Sequence, residues 1–156
     1  MAKGETPGTK LIAQNRKARH DYEIEETFEA GIMLMGTEVK SCRDGKANLN
    51  DAFATIKDGE AWLMQCNISP YSHGNRANHD PVRARKLLLH RHQLEEMHVA
   101  VSQDGRSLIP LRLYFKSGLA KVEIAIGRGK KTHDKRQALA QKSDERRMRQ
   151  AVGRRR

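Results

Sequence analysis

Three His-Asp dipeptides are the first candidates for chemistry in this sequence: His20-Asp21, His79-Asp80 and His133-Asp134. Each could supply part of a phosphohydrolase metal site, because imidazole and carboxylate groups ligate divalent metals. Two adjacent residues of a strand, however, point to opposite faces, and the sequence offers no recognisable set of further ligands. We therefore predict no metal site and no cofactor, and we interpret residues 78–81, Asn-His-Asp-Pro, as a turn.

A second candidate is the glycine-rich segment Gly127-Arg128-Gly129-Lys130-Lys131-Thr132, which looks like a phosphate loop. A nucleotide-triphosphate loop needs glycine five residues before Gly129, where this chain has Ile124. A flexible basic hinge is the better interpretation, with Lys130 and Lys131 acting as point charges for phosphate oxygens. The sequence does not indicate a serine or cysteine nucleophile together with a general base that would activate it. We therefore predict a binding protein without catalytic residues.

The charge of the chain points to a polyanionic partner. The net charge is +11, and its excess lies at the two ends. Residues 127–156 hold 12 Lys/Arg and 3 Asp/Glu, and residues 1–20 hold 5 and 1. Basic arms around a near-neutral body suit contacts along a phosphate backbone, although such charge runs are often only solvated tails.

Cysteine content and hydropathy indicate the compartment. Cys42 and Cys66 are too few and too far apart for a disulfide framework or a zinc pair, so two buried thiols in a reducing cytoplasm are expected. No apolar run approaches the ~20 residues that span a bilayer. The sequence predicts a cytoplasmic protein without a membrane partner.

Two basic clusters carry the most chemical content. Residues 16–20, Arg-Lys-Ala-Arg-His, precede Tyr22, and residues 83–86, Arg-Ala-Arg-Lys, precede three leucines. The second arrangement would present guanidinium groups at the edge of a packed element. Arginine forks beside histidine and tyrosine rings suit unstacked or loop RNA bases better than a regular duplex. The alternative for Tyr22 is packing in the core.

These residues must be positioned by a strand-rich body. Alternating apolar residues predict strands at residues 11–13, 21–28 and 32–41. A hairpin is predicted from residues 52–56 and 61–68 around Lys57-Asp58-Gly59, and a second from residues 108–115 and 120–126 around Lys116-Ser117-Gly118. Such a set favours a mainly β fold with a six-stranded antiparallel closed barrel similar to the OB-fold, although an open sandwich also fits the pattern.

Helices are expected outside the barrel. Leu94, Met97 and Val101 recur at helical spacing and predict a helix over residues 91–101, stopped by Asp104-Gly105. Short helices are also expected at residues 15–19 and 48–51. We divide the chain into a flexible N-terminus (1–9), the RNA-binding barrel (10–128) and a basic tail (129–156). The tail is rich in helix formers but polar nearly all round, which predicts disorder when free and a helix on a partner.

Several blocks in order resemble one family. They are residues 15–22 (Asn-Arg-Lys-Ala-Arg-His-Asp-Tyr), residues 28–32 (Phe-Glu-Ala-Gly-Ile), residues 36–41 (Gly-Thr-Glu-Val-Lys-Ser), Asp80-Pro81 to Arg83, residues 85–89 (Arg-Lys-Leu-Leu-Leu), and most specifically residues 129–136 (Gly-Lys-Lys-Thr-His-Asp-Lys-Arg). On these blocks the chain is similar to the SmpB family over nearly all its length.

The resemblance implies a six-stranded antiparallel barrel and a binding protein rather than an enzyme. It implies that the protein holds the transfer-RNA-like domain of transfer-messenger RNA and delivers it to the empty A site of stalled ribosomes, where templates switch and the nascent chain is tagged. A monomer with one RNA is expected. Two alternatives are left open beside it: a structural or assembly protein of ribosomal RNA, and an RNA-modifying or RNA-cleaving enzyme.

The resemblance and the basic clusters together give the candidate residues. On the RNA side these are Asn15, Arg16, Arg19, His20, Tyr22, Glu29, Lys40, Asn48, Arg85, Lys86 and Leu88. For the decoding centre and messenger channel of the small subunit they are Lys130, Lys131, His133, Asp134, Lys135, Arg136, Arg146, Arg147 and Arg149. A carboxylate at Glu29 would accept from base amino groups or hold an arginine such as Arg16.

Overall fold

The computed structural model describes residues 8–72 and 78–130. The strands in these ranges are β1 (Thr9–Gln14), β2 (Tyr22–Ile32), β3 (Ala47–Asn48), β4 (Phe53–Lys57), β5 (Glu60–Met64), β6 (Asn67–Ile68), β7 (Arg85–Leu88), β8 (Ser107–Lys116) and β9 (Leu119–Gly129). The helices are α1 (Ala18–Asp21), α2 (Gly36–Arg43) and α3 (Arg91–Ser102). None of the helices so described is long and apolar enough to span a membrane.

The main sheet closes on itself. Its strand order is β1-β8-β4-β5-β7-β2-β9, and a further pairing joins β9 to β8, so six strands form a ring and β1 lies outside it. β1 and β4 share one edge of β8, where Leu108 pairs with Ala54 and Lys116 pairs with Thr9. Every pairing is antiparallel. The prediction of a mainly β fold built on six antiparallel strands is confirmed.

The core fills the ring. Alternate residues of β2 and β9 point inward, among them Ala30 and Val122, which have no exposed surface. α3 adds Met97, also fully buried, to the same cluster. Burying a side chain such as Leu63 stabilises the fold by roughly 1.5–3 kcal/mol. Cys42 and Cys66 lie in this cluster as free thiols, as predicted.

Both predicted hairpins are present. Asp58 and Gly59 join β4 to β5 with φ angles of 54° and 75°. Ser117 and Gly118 join β8 to β9 with φ angles of 51° and 81°. Two consecutive left-handed residues are what a two-residue hairpin needs to match the twist of its strands. The helix predicted over residues 91–101 is α3, and the chain leaves it through Gly105 at φ 65°.

Three local predictions were wrong. Residues 32–41 do not form one strand, because α2 begins at Gly36, where Glu38 accepts a hydrogen bond from the Met35 N–H at 2.7 Å. Residues 48–51 form a turn, because Asn48 Oδ1 accepts from Asn50 N at 2.7 Å and competes with helix formation. The helix expected at residues 15–19 starts at Ala18, because Asn15 N donates to Leu111 O of β8 at 2.8 Å.

Candidate nucleic-acid interface

One outward face of the ring collects three of the predicted RNA residues. Along β2, Phe28 and Ala30 point into the core, so Glu29 points outward. On β7, Leu87 is buried and its neighbours Lys86 and Leu88 face out. Leu88 pairs with Gly31, two residues from Glu29 on the same side of β2. The structure therefore brings Glu29, Lys86 and Leu88 together, and we call this surface the outer face.

Glu29 is held by residues that the sequence analysis missed. Tyr114 donates a hydrogen bond from its hydroxyl to Glu29 Oε2 at 2.6 Å, and Lys116 Nζ lies 3.4 Å from the same oxygen. The hydrogen bond from Tyr114 lowers the pKa of Glu29, against a smaller opposing effect of burial. The carboxylate is thus a fixed anion that still faces solvent, with a side chain 38% exposed. Arg16, which we had suggested as its partner, is not among these contacts.

Neighbouring pairs extend the outer face towards α1. Glu123 of β9 pairs with Glu29 across the strands and accepts from Arg112 Nη2 at 2.9 Å. The Arg112 guanidinium also lies over the Tyr114 ring, 5.0 Å from its centre. Arg112, Tyr114 and Lys116 occupy alternate positions of β8. This two-residue spacing could have predicted from the sequence that the three side chains share one face of the sheet.

A cleft of about 300 Å³ continues from this network to the N-terminal basic cluster. Its lining includes Asn15, Arg16, Arg19, Arg112 and Glu123. Asn15 is fixed by its side-chain amide, which donates to Pro110 O at 3.2 Å. Arg16 and Arg19 are exposed. Two exposed guanidinium groups beside a fixed amide are suited to phosphate and base contacts.

Tyr22 is partly packed into the fold, and its contact with RNA stays a prediction. It is half-buried, packs against the small cluster of Ala18, Ile109, Leu111 and Ala125, and leaves part of its ring accessible. Its ring lies over the end of β9, where a Cβ added to Gly129 would stand 3.9 Å from Tyr22 Cε1. A Cβ at Gly127 would lie 2.9 Å from Ile109 Cδ1 and 3.1 Å from the Glu23 carbonyl oxygen, so a larger residue there would force these neighbours to shift.

The basic tail leaves the ring beside α1. Lys130 N donates to Asp21 O at 3.0 Å, and Lys130 Nζ donates to Arg19 O at 3.3 Å. His20 lies on the same short helix and is exposed. The other tail residues that we predicted to contact the ribosome lie outside the described residues: Lys131, His133, Asp134, Lys135, Arg136, Arg146, Arg147 and Arg149.

Arg85 requires a correction. The sequence predicted a guanidinium at an exposed edge, but Arg85 has no exposed surface. It forms an ion pair with Glu38, and its Nη2 donates to Pro81 O at 3.1 Å. Arg83 binds the same carboxylate. Burial alone would raise the pKa of Glu38, but the hydrogen bonds from Arg83, the Met35 N–H and Arg85 lower it. Arg85 therefore serves the fold and does not present its guanidinium to RNA.

Lys86 is paired with a carboxylate on the outer face, and the last two candidates, Lys40 and Asn48, lie elsewhere on the surface. Lys86 Nζ donates to Glu60 Oε1 at 2.9 Å and stays partly exposed. Lys40 is exposed on α2, 5.5 Å from the centre of the Tyr71 ring. Asn48 lies in β3, where its side chain holds the turn described above. Within residues 8–72 and 78–130, no described contact joins Lys40 or Asn48 to the outer face.

A closed antiparallel ring with arginines, a half-buried tyrosine and fixed amide and carboxylate groups on its surface defines a small β-barrel protein of the RNA-binding class. The family can be stated as well. The chain belongs to the SmpB protein family, whose model matches residues 12–154.

Individual relatives agree with that assignment. An SsrA-binding protein of Geobacter sulfurreducens is 56% identical over 145 residues, which cover 93% of this chain and 95% of that protein. One from Halalkalibacterium halodurans is 54% identical over 149 residues, or 96% of each chain. A solved chain described as "tmRNA-SmpB: a journey to the center of the bacterial ribosome" is 51% identical and has a TM-score of 0.66, covering 81% of this chain and 92% of that one.

Proposed function

We propose that this protein binds the transfer-RNA-like domain of transfer-messenger RNA and delivers it to the empty A site of stalled ribosomes for trans-translation. The observation that carries the proposal is the family assignment over residues 12–154, together with a solved relative whose description names tmRNA, SmpB and the bacterial ribosome. It acts as a monomer with one RNA, in the cytoplasm where stalled ribosomes occur. It is a carrier, and the chemistry of tagging belongs to the ribosome.

The outer face supports a structured RNA as the ligand. Arg16 and Arg19 supply charges for phosphate oxygens, which dominate affinity and make it depend on salt. Glu29 is a fixed acceptor for base amino groups, and Leu88, 50% exposed, offers an apolar surface to a sugar or base. Contacts of these kinds suit RNA loops with unstacked bases.

The tail supports the ribosomal step. Residues 127–156 carry 12 Lys/Arg and 3 Asp/Glu, and Lys130 is bonded to the backbone of α1. A tail that starts beside the RNA-binding cluster can extend from bound RNA towards the small subunit. In an empty messenger channel it would neutralise phosphates and release their counterions, which offsets the entropy of ordering a helix. A channel filled with messenger RNA leaves no room for it.

Binding measurements test the proposal. The protein should bind transfer-messenger RNA far more tightly than an unrelated hairpin of equal length at every salt concentration of a titration. Equal affinity for the two would reject transfer-messenger RNA as the specific ligand. Tighter binding to a ribosomal RNA fragment would favour the structural role in the ribosome that the sequence also allowed.

A further inference from the structure

A second cleft lies on the other side of Asn15, between α1 and the connection from β3 to β4. It has a volume of about 260 Å³, and the residues that line it include Asn15, Tyr22, Asp51, Phe53 and Ile109. Asn15 also lines the cleft shared with Arg16 and Arg19, so the two spaces adjoin.

The walls of the cleft are built on fixed backbone. The connection from β3 to β4 is anchored by Leu49, which is 1% exposed, and by the bond from Ala52 N to Leu49 O at 3.1 Å. Ile109, 4% exposed, lines the cleft from β8. The backbone positions of Asp51 and Phe53 are therefore set before any ligand arrives, which lowers the entropy cost of binding.

Phe53 is the unusual feature. It is a large aromatic residue and remains 47% exposed, although it is the first residue of strand β4 in the ring. Tyr22 lines the same cleft with the accessible part of its ring. Aromatic side chains at a cleft of RNA-binding proteins offer stacking surfaces for bases that have left the helix. The volume is below the roughly 300–1,000 Å³ of sites for drug-sized ligands, which fits one base.

We propose that this cleft binds a single unstacked guanine base of the RNA, stacked on Phe53 and Tyr22 and read by the Asp51 carboxylate. Guanine presents two adjacent donors, N1–H and the exocyclic N2 amino group, and a carboxylate accepts from both at once. Adenine lacks this donor pair. The inference rests on the proposed function, because it names one recognition element of the same RNA.

The experiment uses the full chain and a synthetic transfer-RNA-like RNA. Each unpaired guanosine in turn is replaced by thienoguanosine, a fluorescent analogue that keeps the N1–H and N2 amino donors and whose fluorescence falls when it stacks on an aromatic ring. Each unpaired guanosine is also replaced by inosine, which lacks the N2 amino group. The variants are Phe53→Leu, which keeps an apolar side chain without the aromatic face, and Asp51→Asn. Val99→Ala on α3, where Val99 is 42% exposed, is the matched control.

One position should show quenching with wild-type protein and with Val99→Ala, and weaker quenching with Phe53→Leu, where only Tyr22 still offers an aromatic face. Inosine at that position should weaken wild-type binding about 5- to 100-fold and leave Asp51→Asn unaffected. Thermal unfolding of each variant establishes that it is folded. The inference is overturned if quenching is unchanged in Phe53→Leu, or if no inosine position distinguishes wild type from Asp51→Asn. Wild-type preference for transfer-messenger RNA over a hairpin would then persist, so the proposed function would stand without the cleft.

Discussion

Tyr114 on β8 and Glu29 on β2 are joined by a 2.6 Å hydrogen bond that passes over the intervening strand β9. Two strand spacings separate their backbones, roughly 9.5 Å, and only a long pair of side chains can bridge that gap. The bond lowers the pKa of Glu29 and, with burial, raises that of Tyr114. A carboxylate on an RNA-binding face thus stays ionised and oriented by a residue distant in sequence.

Tyr114→Phe should weaken RNA binding by about 2- to 10-fold, the value of one hydrogen bond, while preserving the ring that packs there. Because the pKa of Glu29 is lowered in the folded protein, removing the bond raises it. RNA affinity of the variant should therefore begin to fall at a higher pH on acidification than that of wild type. Fluorescence anisotropy between pH 4 and 7 measures this, with Glu29→Gln as the control that removes the titration. Identical pH profiles for wild type and Tyr114→Phe would show that Tyr114 does not position Glu29.

Leu88→Ala should lower RNA affinity with little loss of stability. Leu88 is 50% exposed, whereas its neighbour Leu87 is 3% exposed. We expect Leu88→Ala to cost less than about 1 kcal/mol of unfolding free energy and Leu87→Ala about 2–5 kcal/mol. Urea unfolding of both variants gives the comparison, and binding is measured on the folded Leu88→Ala protein. Unchanged affinity there would remove Leu88 from the interface.

Arg85→Ala should act through folding. The substitution leaves the buried Glu38 carboxylate with one arginine fewer, which should lower the free energy of unfolding by about 3–5 kcal/mol. Lys86→Ala breaks only the partly exposed ion pair with Glu60, so it should lower the free energy of unfolding by less than about 1 kcal/mol. Lys86→Ala should also reduce the salt dependence of RNA binding, because Lys86 is the exposed cation of this pair. Full stability of Arg85→Ala by urea unfolding would contradict the structural role of Arg85.

Glu38 should make the protein sensitive to acid. Its pKa in the folded protein is below the reference value of 4.5 for an unpaired carboxyl. The stabilisation is complete above that reference value and is lost as the pH falls through the lower folded value. Stability measured by urea unfolding from pH 6 to 3 should therefore decline less steeply in Glu38→Gln, although that variant is less stable at pH 6. Parallel declines would assign the acid sensitivity to other carboxylates.

The tail should separate RNA binding from tagging. We expect three variants to bind transfer-messenger RNA normally but fail to tag nascent chains on stalled ribosomes: a truncation after Gly129, the triple change Asp134→Ala/Lys135→Ala/Arg136→Ala, and a tail of equal charge in scrambled order. The reason is that an ordered helix in the messenger channel needs residue order, whereas a simple tether needs only charge. Tagging assays on ribosomes stalled at a truncated message provide the measurement. Full tagging by the scrambled tail would reject the ordered helix and support a tether that depends only on charge.

The sequence by itself determined the elements with a local cause. Asp58-Gly59 and Ser117-Gly118 take left-handed angles that fix the hairpins, and the spacing of Leu94 and Met97 fixes α3. The resemblance identified Asn15, Tyr22, Glu29 and Leu88 as RNA contacts, a role that stays a prediction. It also located the family's most specific block, residues 129–136.

Only the tertiary structure decided which charges are free and which are buried. Arg85 and Lys86 are adjacent and both basic, yet strand alternation turns one to Glu38 inside and leaves the other outside. The strand predicted over residues 32–41 failed for the same reason, because Glu38 starts a helix and meets arginines 45 and 47 residues away. Pairings between residues so far apart in sequence depend on how the strands of the ring pair with one another. The local spacing of apolar residues does not predict that pairing.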